Sequence, residues 1–357
     1  MLANIAILIG CFAVSVFCVY VMIRNAAALG LIQIPLGRSS HVKPTPAGGG
    51  VGIVIAACMA GFLLPGTTLS DLALLFLSLI IAVVGFIDDR NPLPARLRMA
   101  VQTVCVMGAL LITQPVAVLS GGTNLILMPL LTLLLLISGV WWINLFNFMD
   151  GIDGIAGQQA VTMMVSAMTL SFLQVPAALD QWPWWMMAIV AVATLGFLVF
   201  NWPPAKIFMG DAGSTFLGFI IVALAFQTLV QGWMTLPQWL LLSLLFATDA
   251  TTTLIVRFLG ADRLSQAHRA HAYQRLSRRF GGARPVSTAA FFINLLILLP
   301  LAMIVPQGFA GWCIVLIAYG LVILAVLAAG AGLPDDVSAS PQAYRARCVR
   351  LNGRKPT

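Results

Sequence analysis

A chain of 357 residues that is 61% hydrophobic and only 8% charged, with a mean hydropathy of +1.00, stands far from the roughly 25% charged residues of a soluble domain. That composition excludes an ordinary soluble globular protein and defines an all-α, polytopic membrane protein. The formal net charge of +8 calls for no nucleic acid, because topology and contact with anionic membrane lipids account for it.

Apolar runs of roughly 17 to 25 residues are candidate spans, since about 20 residues at a 1.5 Å rise cross the hydrocarbon core. Eleven such runs are predicted: Leu2 to Ile23, Gly49 to Pro65, Leu69 to Ile87, Met99 to Leu119, Leu125 to Ile143, Ile155 to Val175, Trp182 to Phe200, Gly213 to Val230, Leu236 to Val256, Val286 to Val305 and Phe309 to Leu333. Short cytoplasmic loops hold the Lys and Arg of a membrane protein. Loops 24–48, 88–98, 144–154, 201–212 and 257–285, with the tail after Leu333, hold all 19 of them. The alternate loops near Gly66, Ser120, Asp180, Gly232 and Gln307 hold none. The basic loops are therefore assigned to the cytoplasm and the amino terminus to the outside.

A signal peptide begins with positive charge, whereas Arg24 follows the first apolar run, so that helix is expected to stay uncleaved. The organisation expected is one membrane domain, residues 1–333, and a mobile basic cytoplasmic tail, 334–357, with no catalytic part. Five cysteines, Cys11, Cys18, Cys58, Cys105 and Cys313, lie in apolar segments and Cys348 in the tail. They form no disulfide framework and no metal-binding spacing.

All eleven acidic residues are Asp. Asp71 and Asp180 fall in outer loops, but Asp88, Asp89, Asp150, Asp153 and Asp211 line the inner mouths of helices, so the chemistry is expected to face the cytoplasm. The first inner loop contains HVKPTPAGGG, where Lys43, Thr45 and the glycines Gly48 to Gly50 offer a cation and open backbone amides to a phosphate; a flexible turn with ordinary inner-side charge is the alternative. In the second, GFIDDRNPLPARLR, Asp88 and Asp89 close a helix at the end where the macrodipole disfavours negative charge. A structural role is thus a poor explanation, and adjacent carboxylates beside Arg90, Arg96 and Arg98 suit phosphate and a divalent, oxygen-seeking cation.

The third inner loop, NLFNFMDGIDG, sets Asn144, Asn147, Asp150 and Asp153 at the mouth of an apolar helix. Such groups at this depth are functional suspects. One Asp would serve as a cap for the next helix; four oxygen-bearing side chains at spacings of three converge on one face if the segment is helical, as a ligand cluster would. In the fourth, NWPPAKIFMGDAGS, Asp211 either caps a helix or joins that cluster, with Lys206 nearby and Gly210, Gly213 and Ser214 leaving room for an anion. The fifth carries HRAHAYQRL. His268, Arg269 and His271 fall on one turn if helical, and Arg charge with imidazole donors suits a diphosphate. Asp249, within the ninth span, is expected to be a hydrogen-bonding or helix-packing residue.

The succession HVKPTPAGGG, GFIDDR, NLFNFMDGIDGIAG, FNWPPAKIFMGDAGS and HRAHAYQRL, from about residue 38 to 276, resembles the polyprenyl-phosphate N-acetylhexosaminyl-1-phosphate transferases. The resemblance implies transfer of an N-acetylhexosamine 1-phosphate from a UDP-N-acetylhexosamine to undecaprenyl phosphate, with release of UMP. It further implies Mg²⁺, with Mn²⁺ as an alternative, and a bacterial cytoplasmic (inner) membrane location. By position it makes Asn147 and Asp211 metal ligands and gives Asp88, Asp89 and Asp150 catalytic roles. Lys43, Thr45, Arg98, Asn144, Asp153, Lys206, His268, Arg269 and His271 become substrate-binding.

Two departures matter. The family's DDxxD has Pro92 at its third position here, and the histidine loop reads HRAH rather than the three histidines of the peptidoglycan translocase, which favours the branch that initiates O-antigen. A CDP-alcohol phosphotransferase is excluded by IAGQQAVTMMV after Gly154, which lacks the Arg and paired Asp that class requires. The non-enzyme rival is a secondary transporter of an anionic metabolite, but transporters place ionisable groups at the midplane and show related halves, and neither is found here. The identity of the hexosamine (N-acetylglucosamine, N-acetylfucosamine, N-acetylquinovosamine or another) and the choice between direct attack and an aspartyl-phosphate stay open, as does the oligomeric state, a homodimer included.

Overall fold

The computed structural model describes residues 2–33, 44–121, 127–262 and 268–351, with side chains to 347 in the last helix. Each of the eleven apolar runs is helical. In chain order the helices are α1 (Leu2–Asn25), α2 (Gly50–Leu63), α3 (Leu69–Arg90), α4 (Ala95–Thr113), the short α5 (Pro115–Leu119), α6 (Leu127–Phe148), α7 (Ile155–Gln174), α8 (Trp182–Asn201), α9 (Asp211–Val230) and α10 (Leu236–Leu259). They continue with α11 (Ala272–Arg279), α12 (Ala283–Ile293), α13 (Leu299–Ile304), joined to α12 through a π-helical turn at Asn294–Leu298, α14 (Phe309–Ala328) and α15 (Pro341–Leu351). The only sheet among the described residues pairs β1 (Ile32–Gln33) with β2 (Thr45–Pro46), antiparallel.

Nine helical stretches among the described residues are long and apolar enough to cross a membrane, two fewer than the expected eleven spans. The reasons are local. α2 has only 14 residues, and α7 carries buried Gln158, Gln159, Thr162, Ser166 and Ser171, which lower its apolar character and seek partners inside the bundle. Gln159 donates to the Leu242 carbonyl and accepts from Asn294 at the π turn. The protein is multi-pass.

The axis of the fold is α9, with 89% of its apolar window buried, and α2, α3, α4 and α6 pack around it. By contrast α1 and α14 expose rows of large side chains such as Phe17, Leu316 and Leu324, as lipid-facing helices do. Two helices begin with reciprocal capping boxes, Thr68 with Asp71 and Thr235 with Gln238, so Asp71 is part of α3 and not of a loop.

Glycines set the closest approach. A Cβ on Gly50 would stand 2.3 Å from the Gly213 Cα, and the Gly49 and Gly50 amides donate to the Phe208 and Met209 carbonyls. The expectation that Gly48 to Gly50 offer open amides to a phosphate is thereby corrected for Gly49 and Gly50: their amides are used, and the bare Cα of Gly50 lets α2 and α9 touch. Residues 334–351 also differ from the mobile end expected. α15 docks on α10, with Arg347 reaching Asp262 at 2.7 Å and the Tyr344 phenol reaching the Leu327 carbonyl.

Candidate active site

α3 ends, α4 begins, α6 ends and α9 begins at one end of the bundle, and the acidic residues gather there. Asp89, near the end of α3, accepts the Asp211 N–H on Oδ1 at 2.8 Å and the Ala212 N–H on Oδ2 at 3.1 Å. It caps another helix, where the positive end of the macrodipole favours a carboxylate. The view that a structural role explains this pair poorly is corrected for Asp89: its own helix disfavours it and α9 rewards it. Gly210, at φ 77, closes the contact, since a Cβ there would lie 2.6 Å from the Asp89 Oδ2. Its small size therefore serves Asp89 and does not leave room for an anion.

Asp88 is ion-paired with Arg98, in the first turns of α4, and accepts the Leu93 N–H. The same Arg98 nitrogen lies 3.3 Å from the Asp211 Oδ2. One guanidinium thus bridges two carboxylates from α3 and α9. Pro92 and Leu93 turn the chain between α3 and α4, so the family's missing third Asp falls in the turn that returns to Asp88.

The third loop is not one helical face. α6 stops at Phe148, leaving Asn144 and Asn147 on the helix and Asp150 and Asp153 in a turn, so convergence comes from the turn. Asn144 donates to Gln102 at 2.6 Å, and the Asn147 Oδ1 accepts from the Ser214 hydroxyl at 3.1 Å. Neither Asp caps α7, whose N-cap is Gly154, itself donating to Asn201 at 2.9 Å. Asp153 instead accepts the Ala205 N–H at 2.9 Å, and its carbonyl takes the Ser287 hydroxyl at 2.7 Å, tying this turn to the α8–α9 loop and to α12. Burial first, then the charges of Asp211, Asp89 and Asp153, pushes the Asp150 carboxyl well above the ordinary carboxylate range.

Asp249 of α10 is the anchor of the histidine loop. Its two oxygens accept the Ala272 and Tyr273 N–H groups at 2.9 and 2.8 Å, the hydrogen-bonding role expected of it. His268, Arg269 and His271 precede α11 and do not share a helical turn. The two imidazoles stack with centroids 4.9 Å apart, and the His271 Nδ1 is 3.5 Å from the Asp249 Oδ1. Burial, with His271 and Arg257 nearby, lowers the His268 pKa to about 3, so this imidazole is neutral and offers one N–H, not charge.

Two cavities open here. One, about 480 Å³, is lined by Arg98, Gln102, Asn144, Asn147, Asp211, Thr215, His268, His271 and Gln274, with Ile81, Val84, Val101 and Leu254 forming an apolar side. The other, about 270 Å³, is mostly polar and is lined by Asp89, Asn147, Asp150, Asp153, Asn201, Asp211 and Gln274 among others. Asn147, Asp211 and Gln274 belong to both. Asp88 supports this junction through Arg98. Thr45 is buried in β2 and Lys206 is exposed; these two and Arg269 line neither cavity. Lys43 lies outside the described residues.

Gln274, Gln102 and Thr215 went unnoticed in the sequence. Only Gln274 carried a signal, three residues beyond His271 and so one turn along α11. The donor set at the junction fits a hard cation: it is all oxygen, and the charges crowding Asp150 are relieved by positive charge. Among the described residues no three His, Cys, Asp or Glu side chains come together as metal ligands. Asp211 and Asn147 would supply only part of a ligand set, and Mg²⁺ is an ion that fills its remaining positions with water and substrate phosphates.

A polytopic helical bundle with a carboxylate-rich cavity pair at one end defines a membrane-embedded enzyme site, and the comparisons specify it. Residues 72–229 match the model of glycosyl transferase family 4. A probable undecaprenyl-phosphate N-acetylglucosaminyl 1-phosphate transferase of Bacillus subtilis is 29% identical over 92% of each chain. A decaprenyl-phosphate N-acetylglucosaminephosphotransferase of Mycobacterium tuberculosis is 34% identical over 56% of this chain and 54% of its own length, so the match spans about half of that relative. An undecaprenyl-phosphate alpha-N-acetylglucosaminyl 1-phosphate transferase of Salmonella typhi is 28% identical over 64% and 63%. These similarities support the polyprenyl-phosphate N-acetylhexosamine-1-phosphate transferase family.

Proposed function

We propose that the protein transfers an N-acetylhexosamine 1-phosphate from a UDP-N-acetylhexosamine to undecaprenyl phosphate at the cytoplasmic face of a bacterial inner membrane, releasing UMP. The product initiates a lipid-linked surface polysaccharide such as O-antigen. The observation that carries this reading is the junction of the two cavities. The cavity with an apolar side suits a phosphate on an isoprenoid tail, and the polar one suits a nucleotide sugar. Their shared residues stand where the two phosphates must meet.

In the reaction an oxygen of the lipid phosphate attacks the β-phosphorus of the donor, a new P–O bond forms, and the bond to the bridging oxygen breaks, leaving UMP. In-line phosphoryl transfer depends mainly on positioning and charge stabilisation. Arg98, steered by Asp88 and Asp211, orients the lipid phosphate. Asp89 holds the first turn of α9 so that Asp211 faces the junction. Asp150 and Asp153 line the donor cavity, and His268 and His271 line the acceptor cavity, where the His268 imidazole supplies a neutral N–H donor. Asp211 and Asn147 would hold Mg²⁺, which when bound would supply positive charge to offset that developing on the phosphates.

A radiolabel assay on purified protein with undecaprenyl phosphate and a panel of UDP-N-acetylhexosamines tests this. Label is expected to move into lipid with UMP release, to stop with chelator, and to be lost in Asp211→Asn. No transfer with any donor would overturn the reading.

A further inference from the structure

Beyond α14 the chain turns back against the histidine loop through AGAGLPDDV, residues 329–337. The Gly332 N–H donates to the Ala270 carbonyl at 2.8 Å, between the two imidazoles in sequence. The Arg278 guanidinium donates to the Arg269 carbonyl at 2.8 Å and to Asp335 at 2.6 Å. Arg275 of α11 makes the most contacts. Its Nε donates to the Ala329 carbonyl at 3.1 Å, and its Nη atoms donate to the carbonyls of Leu333, Pro334 and Val337 at 3.2, 2.8 and 2.8 Å. A cation kept for topology or for lipid headgroups points to water, whereas the Arg275 side chain is only 14% exposed and spends its planar fork on backbone oxygens.

The turn is shaped for this contact. Gly330, at φ 92, lies against the guanidinium, since a Cβ there would stand 2.5 Å from the Arg275 Nε. Gly332, at φ 76, lies against α10, where a Cβ would stand 2.5 Å from the Val256 Cβ. Both positions need the conformational freedom of glycine, and Ala331 and Leu333 beside them are buried. Asp249 takes the Ala272 and Tyr273 amides, so the loop is held on both sides of His271. Arg275 and Gly332 line neither cavity. His268 and His271 line the larger one together with Arg98, the cavity that takes the lipid phosphate on the transferase reading, on which this rests. We infer that the segment 329–337, gripped by Arg275 and bonded to Ala270 through Gly332, positions the two histidines for the lipid phosphate. Arg275 and Gly332 are thus positioning residues of the transfer, acting through the loop and not on substrate.

The test uses full-length wild type, Arg275→Met, Arg275→Lys and Gly332→Ala. One measurement is the rate at which diethyl pyrocarbonate modifies His271, a residue 3% exposed, followed by peptide mass spectrometry. The other is kcat/KM for undecaprenyl phosphate with the UDP-N-acetylhexosamine that wild type uses. Arg275→Met and Gly332→Ala should each speed the modification at least about tenfold and cut kcat/KM roughly ten- to a hundredfold, since a small misplacement carries that cost. Arg275→Lys should move both in the same direction by less, because a compact ammonium does not span the carbonyls that the fork reaches. Maleimide labelling of the buried Cys11 and Cys105 thiols should stay as slow as in wild type, which a general loosening of the bundle would not allow. Unchanged protection of His271, faster modification with unchanged transfer, or lost transfer with the two thiols exposed would each overturn the inference. If Arg275→Met and Gly332→Ala do not fold, Arg275→Lys decides by the same measurements. Absence of transfer by wild type from every donor overturns the transferase reading, and the role in transfer with it, while protection of His271 still decides whether the segment holds the loop.

Discussion

Asp89→Asn separates the chemical from the structural content of the acidic pair. Asp89 accepts two amides at the start of α9, at 2.8 and 3.1 Å. Asn presents one carbonyl oxygen, so one amide is orphaned and the charge facing the helix end is lost. Loss of a cap costs about 0.5–2 kcal/mol, and the dipole interaction adds about 0.3–1 kcal/mol. The sum, roughly 1–3 kcal/mol, should lower Tm by several degrees, at roughly 2–4 °C per kcal/mol in chains somewhat shorter than this one. The fluorescence of nine Trp residues reports the melt in detergent. Transfer should fall with it, because Asp211 is the first residue of the helix that loses its cap, and Asp89→Ala should be worse on both measures. Lost transfer with unchanged melting would refute the capping argument and leave Asp89 a purely chemical group.

Other outcomes follow from the same geometry. Arg98→Lys should reduce transfer at least about tenfold, since one guanidinium nitrogen serves both carboxylates and leaves the other N–H groups for the lipid phosphate, a division a compact ammonium does not reproduce; steady-state kinetics at fixed donor and varied lipid would show it. Asp150→Asn should raise Tm in metal-free buffer, and by more at pH 8 than at pH 5. The folded-state pKa of Asp150 is raised, so the wild type loses stability as pH climbs above the unfolded value, a loss Asn does not incur; equal gains at both pH values would contradict the assignment. His268, with its pKa lowered to about 3, stays neutral across the working range, so His268→Gln should scale the pH–rate profile between pH 5 and 9 without changing its shape. Arg347→Ala removes the 2.7 Å contact to Asp262, worth about 1.5–3 kcal/mol for a charged hydrogen bond, and limited proteolysis should then cleave the tail sooner.

The helices were legible because apolar length survives any packing, and the motif loops because their unusual residues sit at helix mouths. What each residue touches was not. Asp89 read as misplaced because the chain around it reveals only the dipole of its own helix, whereas the amides it caps are 122 residues away. The glycines after Pro46 read as an anion cradle for the same reason, with Gly213 as the unseen partner. Asp150 and Asp153 were recognised, but a helical face was assumed where a turn brings them in. Asp249 was placed correctly, since a carboxylate inside a span must be satisfied by something near it. Gln274 escaped because a glutamine in a basic, polar loop is unremarkable until the fold sets it where two cavities meet.

The contact between Gly50 and Gly213 also bears on how the site keeps its spacing. With backbone against backbone at Gly50 and Gly213, and with Asp89 pinning α3 to the same helix end, α2, α3 and α9 are tied to one another beside the acidic residues. The facing wall is joined to that block by side chains: α4 reaches Asp88 and Asp211 through Arg98, and the start of α11 is held by Asp249 of α10. The acidic floor is thus the anvil of the site, its spacing set by backbone contact, whereas the facing wall takes its spacing from side-chain length.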